Sequence, residues 1–188
     1  HWHIGLSTLS GLLPVWREYQ GLLRGVFTGT VSMKGRVGVA LRFPEGNAAG
    51  ELELLSELGG TVPVLVRLYR HESADAQAGK KRLVRRMSES GRPVSVALVQ
   101  DRKAVIDLRL WTDFVVQSVT DIGDCVDFFE VGHAINRVKW GIWEPQEYAR
   151  MLEVIGRLSL ENPAVKFTGP AATDFEYPYL MTALRDIH

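Results

Sequence analysis

One cysteine, Cys125, occurs in 188 residues. An internal disulfide is therefore excluded, and so is a metal centre built on cysteines. There is no surplus of charge of either sign, since 22 Lys and Arg stand against 22 Asp and Glu. A neutral chain has no general electrostatic attraction for nucleic acid or an anionic membrane, so neither partner is expected. No apolar run approaches the ~20 residues of a membrane span. The phosphate-cradling patterns G-x-G-x-x-G and G-x-x-x-x-G-K-S/T are missing, and so is the G-x-S-x-G nucleophile turn. Nucleotide binding by such loops and α/β-hydrolase chemistry are disfavoured, and no cofactor is expected. Neutrality suits an uncharged partner such as a sugar without pointing to one, and nothing in the sequence fixes a compartment.

The hydrophobic fraction of 46% is enough to build a core for one domain of ordinary size, or for part of a larger one. Residues 1–35 read as a lead-in segment. Leu12, Leu13, Trp16, Tyr19 and Leu23 recur at helical spacing, with Pro14 near the start of that helix, and Phe27–Met33 fits a short strand. From 36 to 188 the pattern is regular: five apolar runs, beginning at Val37, Val62, Val94, Val126 and Val165, alternate with helical stretches. Pro44–Asn47 marks a turn, Gly59-Gly60 a helix stop, Ala74–Glu89 a polar helix, Leu108, Trp111, Val115 and Val119 a helix that ends near Gly123-Asp124, Pro145 a helix start and Tyr177–Ile187 a closing helix. Continuous apolar strands are those of a parallel sheet covered on both faces. Strand–helix repetition predicts right-handed βαβ units, in either a doubly wound open sheet or a TIM-type (β/α) barrel or partial barrel. A full barrel takes about 250 residues, so this chain has room for five units.

Polar residues gather at the C-terminal ends of the runs, which form the catalytic face of a barrel. They include Arg42, Arg67, Arg70, His71, Glu72, Gln100, Asp101, His133, Asn136, Thr173 and Asp174. Arg67 interrupts the apolar run Val64–Leu68, and a desolvated Arg needs a partner, either in a site or in an ion pair. Trp140 and Trp143 follow the fourth run and could serve as stacking platforms for sugar faces or as caps on the core; Trp111 sits on a helical stripe. His1 with His3, or His71 with His133, would make only a weak metal site, and none is expected.

The segment Phe128-Phe129-Glu130-Val131-Gly132-His133-Ala134-Ile135-Asn136 resembles the fourth strand of the retaining (β/α)8 glycoside hydrolases, the cellulase-like and β-xylosidase-like clan. There the strand reads E-I-x-N-E-P-N, with Gly or Trp at x. Trp140, Trp143 and Pro145-Gln146-Glu147-Tyr148-Ala149 are similar to the following tryptophans and P-x-E-Y-A helix. Trp111-x-x-Phe114-Val115 resembles the preceding W-x-x-F-V helix, and Asn162–Ala171 the fifth strand, N-P-x-A-K-V-x-G-P-A. The run around Arg67 resembles the second strand, where an Arg often supports the nucleophile.

The resemblance covers 36–188 and implies a barrel with ancestry in carbohydrate chemistry. Retaining hydrolysis uses two carboxyl groups ~5 Å apart. At the position of the family's acid/base Glu this chain has Ala134, and His133 replaces the preceding Asn. The nucleophile of the seventh strand falls beyond the five units present. Glu130 is set back roughly 13 Å along the strand from Ala134. The expectation is a degenerate barrel that binds carbohydrate or a protein partner at a rim of Arg67, His71, His133, Asn136, Trp140 and Trp143. The alternatives are an active hydrolase with His133 as relocated acid/base, or one part of a longer enzyme; exposed strand edges would also favour self-association.

Overall fold

The computed structural model describes residues 2–24, 30, 32, 37–41, 48–59 and 62–174. Its elements in order are α1 (Trp2–Arg24), β1 (Val39–Leu41), α2 (Ala48–Glu57), β2 (Val64–Tyr69), α3 (Ala74–Glu89), β3 (Val94–Val99), α4 (Arg102–Ile106), α5 (Leu108–Ile122), β4 (Phe128–Val131), a 3-10 turn (Val138–Trp140), α6 (Pro145–Glu161) and β5 (Phe167–Thr168). Arg42, the turn Pro44–Asn47, Gly60, the closing helix Tyr177–Ile187, and the side chains of His1 and His3 lie outside the described residues. So does most of the strand expected at Phe27–Met33, of which Thr30 and Ser32 are described and are not in a strand.

All four strand pairings are parallel, and the five strands stand in the order β1-β2-β3-β4-β5. This order separates the two architectures left open by the sequence. A doubly wound sheet reverses direction at a switch point, which places helices on both faces. A sheet that always advances one strand in the same direction, through right-handed crossovers, places its helices on one face. The fold is therefore α/β with the strand order of a TIM-type barrel, and among the described residues the sheet is open, not closed.

The two faces differ accordingly. Val64, Val66 and Leu68 of β2, Val96 and Leu98 of β3, and Phe129 and Val131 of β4 pack with Leu83, Val84, Trp111, Val115, Met151 and Ile155 in one core. The intervening residues Leu65, Arg67 and Tyr69 are only half-buried, Phe128 is exposed and Glu130 is half-buried. Coverage of both faces, expected from the apolar runs, is thus not found in β2 and β4. Only the central β3 is buried along its whole length.

Local chemistry explains the helix limits. Ser73 caps α3 through its hydroxyl, which accepts from the Ala76 N–H. The helix expected from Leu108 to Gly123 is α5, and a short helix that was not expected, α4, precedes it. The Asp101 carboxylate caps α4 by accepting from the Ala104 N–H, and Asp107 caps α5 by accepting from the Arg109 N–H. The lead-in helix also differs from expectation. Pro14 lies inside α1 rather than at its start, because Leu6 and Leu9 carry the apolar stripe upstream toward Trp2.

The residues that carry the family resemblance in α5 and α6 perform scaffolding. Pro145 stands in the first turn of α6, and Glu147 completes a capping box with Glu144. Tyr148 donates its hydroxyl proton to the Val131 carbonyl (2.8 Å), and Trp111 donates Nε1–H to the Met151 carbonyl (3.3 Å), so both buried aromatics satisfy their polar atoms.

Candidate functional site at the C-terminal rim of the sheet

Register places Arg67, Ala97, Glu130 and Thr168 in one row across β2 to β5. Side chains in such a row share a face, and here it is the face opposite the core that the described helices cover. Two residues further along β2, Tyr69 points the same way. Its ring is stacked with Trp140 (centroids 6.1 Å, 24° between planes) and tilted against His71 (5.5 Å). Trp140 in turn meets the edge of His133 (4.8 Å, 84°). Four rings contributed by the ends of β2 and β4 therefore form one connected aromatic wall at the C-terminal rim.

The loop that presents His133 and Trp140 is held at several points. Gln100, 1% exposed at the end of β3, accepts from the His133 N–H (2.9 Å) and donates to the carbonyls of His133 (2.8 Å) and Trp140 (3.2 Å). Arg102 donates to the Gly141 carbonyl and to both Glu147 oxygens, each at 2.8 Å. Asn136 donates to the Thr173 carbonyl (2.7 Å) and accepts from its N–H (3.0 Å), tying this loop to the one after β5. Gly132 has φ +84°, and a Cβ there would meet the Tyr148 ring at 2.5 Å, so the turn out of β4 requires glycine. A loop fixed in this way presents its side chains with little ordering cost on binding.

The polar groups divide into paired and unpaired. Arg70 forms a bidentate ion pair with Asp101, and Lys80 pairs with Glu72. Burial pushes the Asp101 carboxyl up, but the Arg70 hydrogen bond and the Ala104 N–H outweigh it and leave it below its ordinary value. Arg67 Nε, Arg102 Nε and His133 Nδ1 are enclosed without a hydrogen-bond partner among the described residues, although Nη1 of Arg102 pairs with Glu147. Burial, and then the charges of Arg67 and Lys139, hold the His133 imidazole below its ordinary value, which favours the neutral ring. Burial pushes the Glu130 carboxyl up, with Arg67 opposing it. Arg67 and Glu130 stand two strands apart, roughly 10 Å between Cα atoms, on either side of Ala97.

The structure thus brings Arg67, His71, His133 and Trp140 to one face and end of the sheet. Trp143 is placed otherwise: it is 53% exposed, and the Arg102 guanidinium lies 3.9 Å over its ring. Asn136 lies in the same loop, 4% exposed, with its amide engaged by the Thr173 backbone. Ala134 is fully buried with φ +46°, so its methyl faces protein and not the rim. Two contributors were not singled out from sequence. Tyr69 lies just past the apolar run Val62–Leu68, and Gln100 read as one polar strand end among many; only register and contact identify them.

A second concavity, about 510 Å³, lies at the opposite, N-terminal end of the open face, between Ala40, Pro63, Leu65, Ser95, Phe128 and Glu130. No group of three or more His, Cys, Asp or Glu is placed to hold a metal ion among the described residues. No described helix is long and apolar enough to cross a membrane. Comparison with family models, with curated proteins and with solved structures gives no match.

Proposed function

We propose that the chain is a glycoside-hydrolase-like (β/α) partial barrel that binds carbohydrate at its C-terminal rim without conventional glycosidase chemistry. The observation that carries this reading is the aromatic wall of Tyr69, Trp140, His133 and His71 at the rim. Flat π faces suit the C–H face of a sugar ring. The motif resemblance in 36–188 points to the same ligand class.

The absence of hydrolysis follows from the carboxylates. Those at the rim, Glu72, Asp101 and Asp174, are held in ion pairs with Lys80, Arg70 and Arg137. Glu130 stands alone on the open face, so no pair of free carboxyl groups at the separation of a retaining site is present among the described residues. His133 with its depressed pKa is a poor proton donor at neutral pH, although a serviceable acceptor. Replacing Ala134 by Glu restores the family residue at a fully buried position with no partner carboxylate. A134E is expected to lose stability, by about 2–4 kcal/mol from overpacking and carboxylate burial, and to gain no activity.

The test combines a glycan array with an aryl-glycoside panel. Retention of glycans without release of the aryl group is the expected result. Sustained hydrolysis that collapses in H133A would replace this reading with that of an active enzyme, either with a relocated acid/base or with its nucleophile on a further part of the protein.

A further inference from the structure

Resting on the carbohydrate reading, we infer that the rim selects acidic sugars, with Arg67 as the residue that receives the ligand's carboxylate. Arg67 is the one guanidinium in the row across the open face, and its Nε is enclosed with no hydrogen-bond partner among the described residues. Other buried or half-buried cations of the region are paired: Arg70 with Asp101, Lys80 with Glu72, Arg102 with Glu147. Arg67 has no ion pair among the described residues, and neither has Lys139, whose ammonium stands 5.9 Å from the centre of the Trp140 ring. Two cations without an ion pair among the described residues thus lie near the wall, Lys139 beside Trp140 and Arg67 two residues before Tyr69 on β2.

Only the Nε of Arg67 is enclosed; its terminal nitrogens make no hydrogen bond among the described residues and can meet a ligand anion. Among the described strand residues the carboxyl on the same face, Glu130, is separated from Arg67 by the Ala97 strand and makes no ion pair with it. A planar guanidinium matches a carboxylate through two parallel hydrogen bonds, whereas a neutral hydroxyl satisfies only one donor. A hexuronic acid offers both parts of this recognition: a ring face for the aromatic wall and a carboxylate for the cation at its foot. This role for Arg67 differs from support of a catalytic nucleophile, the role implied by the family resemblance.

The test measures binding of three probes by calorimetry: oligogalacturonides, the same oligosaccharides as methyl esters, and a short polyglutamate. The acid form is expected to bind about tenfold or more tightly than the ester, with the preference shrinking as salt rises from about 50 to about 500 mM. R67M is expected to reduce the preference to within about twofold, R67K to retain part of it, and K139A, an exposed substitution, to weaken it by about two- to threefold. Circular dichroism of each variant establishes folding, and K139A keeps the test open if R67M does not fold. Equal binding of acid and ester overturns the acidic preference while leaving the sugar reading standing. Polyglutamate binding as tightly as the oligosaccharide keeps the anion site and overturns the sugar reading. No binding of either oligosaccharide overturns both.

Discussion

The two faces of this sheet are made by the same strands and differ in almost everything else. Val66, Leu68, Val96, Leu98, Phe129 and Val131 look toward the helices and sit in a continuous core. Arg67, Tyr69 and Glu130, one residue out of phase, look toward the open side. The difference teaches that strand order assigns the work. Sequential parallel strands send every right-handed crossover to one side, so stability concentrates there and the other face is left to carry polar and aromatic groups.

The largest effects should separate the faces by stability. F129A on the covered face removes a ring with 0% exposure and is expected to cost about 3–5 kcal/mol. L65A, on the half-buried face, is expected to cost about 1 kcal/mol. Urea unfolding of both variants measures the contrast; equal losses would mean that the open face is packed as tightly as the other.

An intermediate effect is expected where the two faces meet at the rim. Q100L removes the amide that serves the His133 N–H and two carbonyls, leaving buried polar groups unpaired, and should cost about 2–3 kcal/mol. Faster amide hydrogen exchange in 132–141, with β2 unchanged, would locate the loss in this loop; an unaltered exchange pattern would mean the loop holds itself.

A smaller effect should appear with pH, and the two open-face groups should act in opposite senses. The folded state holds His133 below its ordinary value of 6.5, so the unfolded chain takes up protons first as pH falls. His133 therefore contributes stability above that pH and loses it as pH falls toward the folded value. Glu130 is raised from 4.5, so its contribution is present below that value and is lost as pH rises through the folded one. Urea midpoints between about pH 4 and 8 should show a flattened acid limb in H133F, and E130Q more stable than the parent at neutral pH. Parallel curves for all three proteins would remove both assignments.

Much of the fold was legible in the sequence. The run Val94–Val99 became β3 and Ala74–Glu89 became α3 with the expected limits, because apolar runs and capping residues are local signals. The short helix α4 was missed, since Asp101 read as an ordinary polar strand end until its carboxylate is seen capping the Ala104 amide. Pro14 was misplaced because a stripe begun at Leu12 hides its own upstream turns. The half-buried face was written in the alternation of Val64-Leu65-Val66-Arg67-Leu68, yet apolar Leu65 made the run look continuous. Around the candidate site, proximity along the chain placed Trp140 and Trp143 together, whereas the structure separates them. One stacks with Tyr69 at the rim and the other lies under Arg102.

That separation gives the most direct test of the rim as a carbohydrate site. A glycan array is probed with the parent protein, W140A and W143A under identical conditions. The account predicts that W140A loses the glycans retained by the parent, while W143A keeps them within about twofold, since only Trp140 belongs to the wall. Undiminished retention by W140A, or loss confined to W143A, would contradict it.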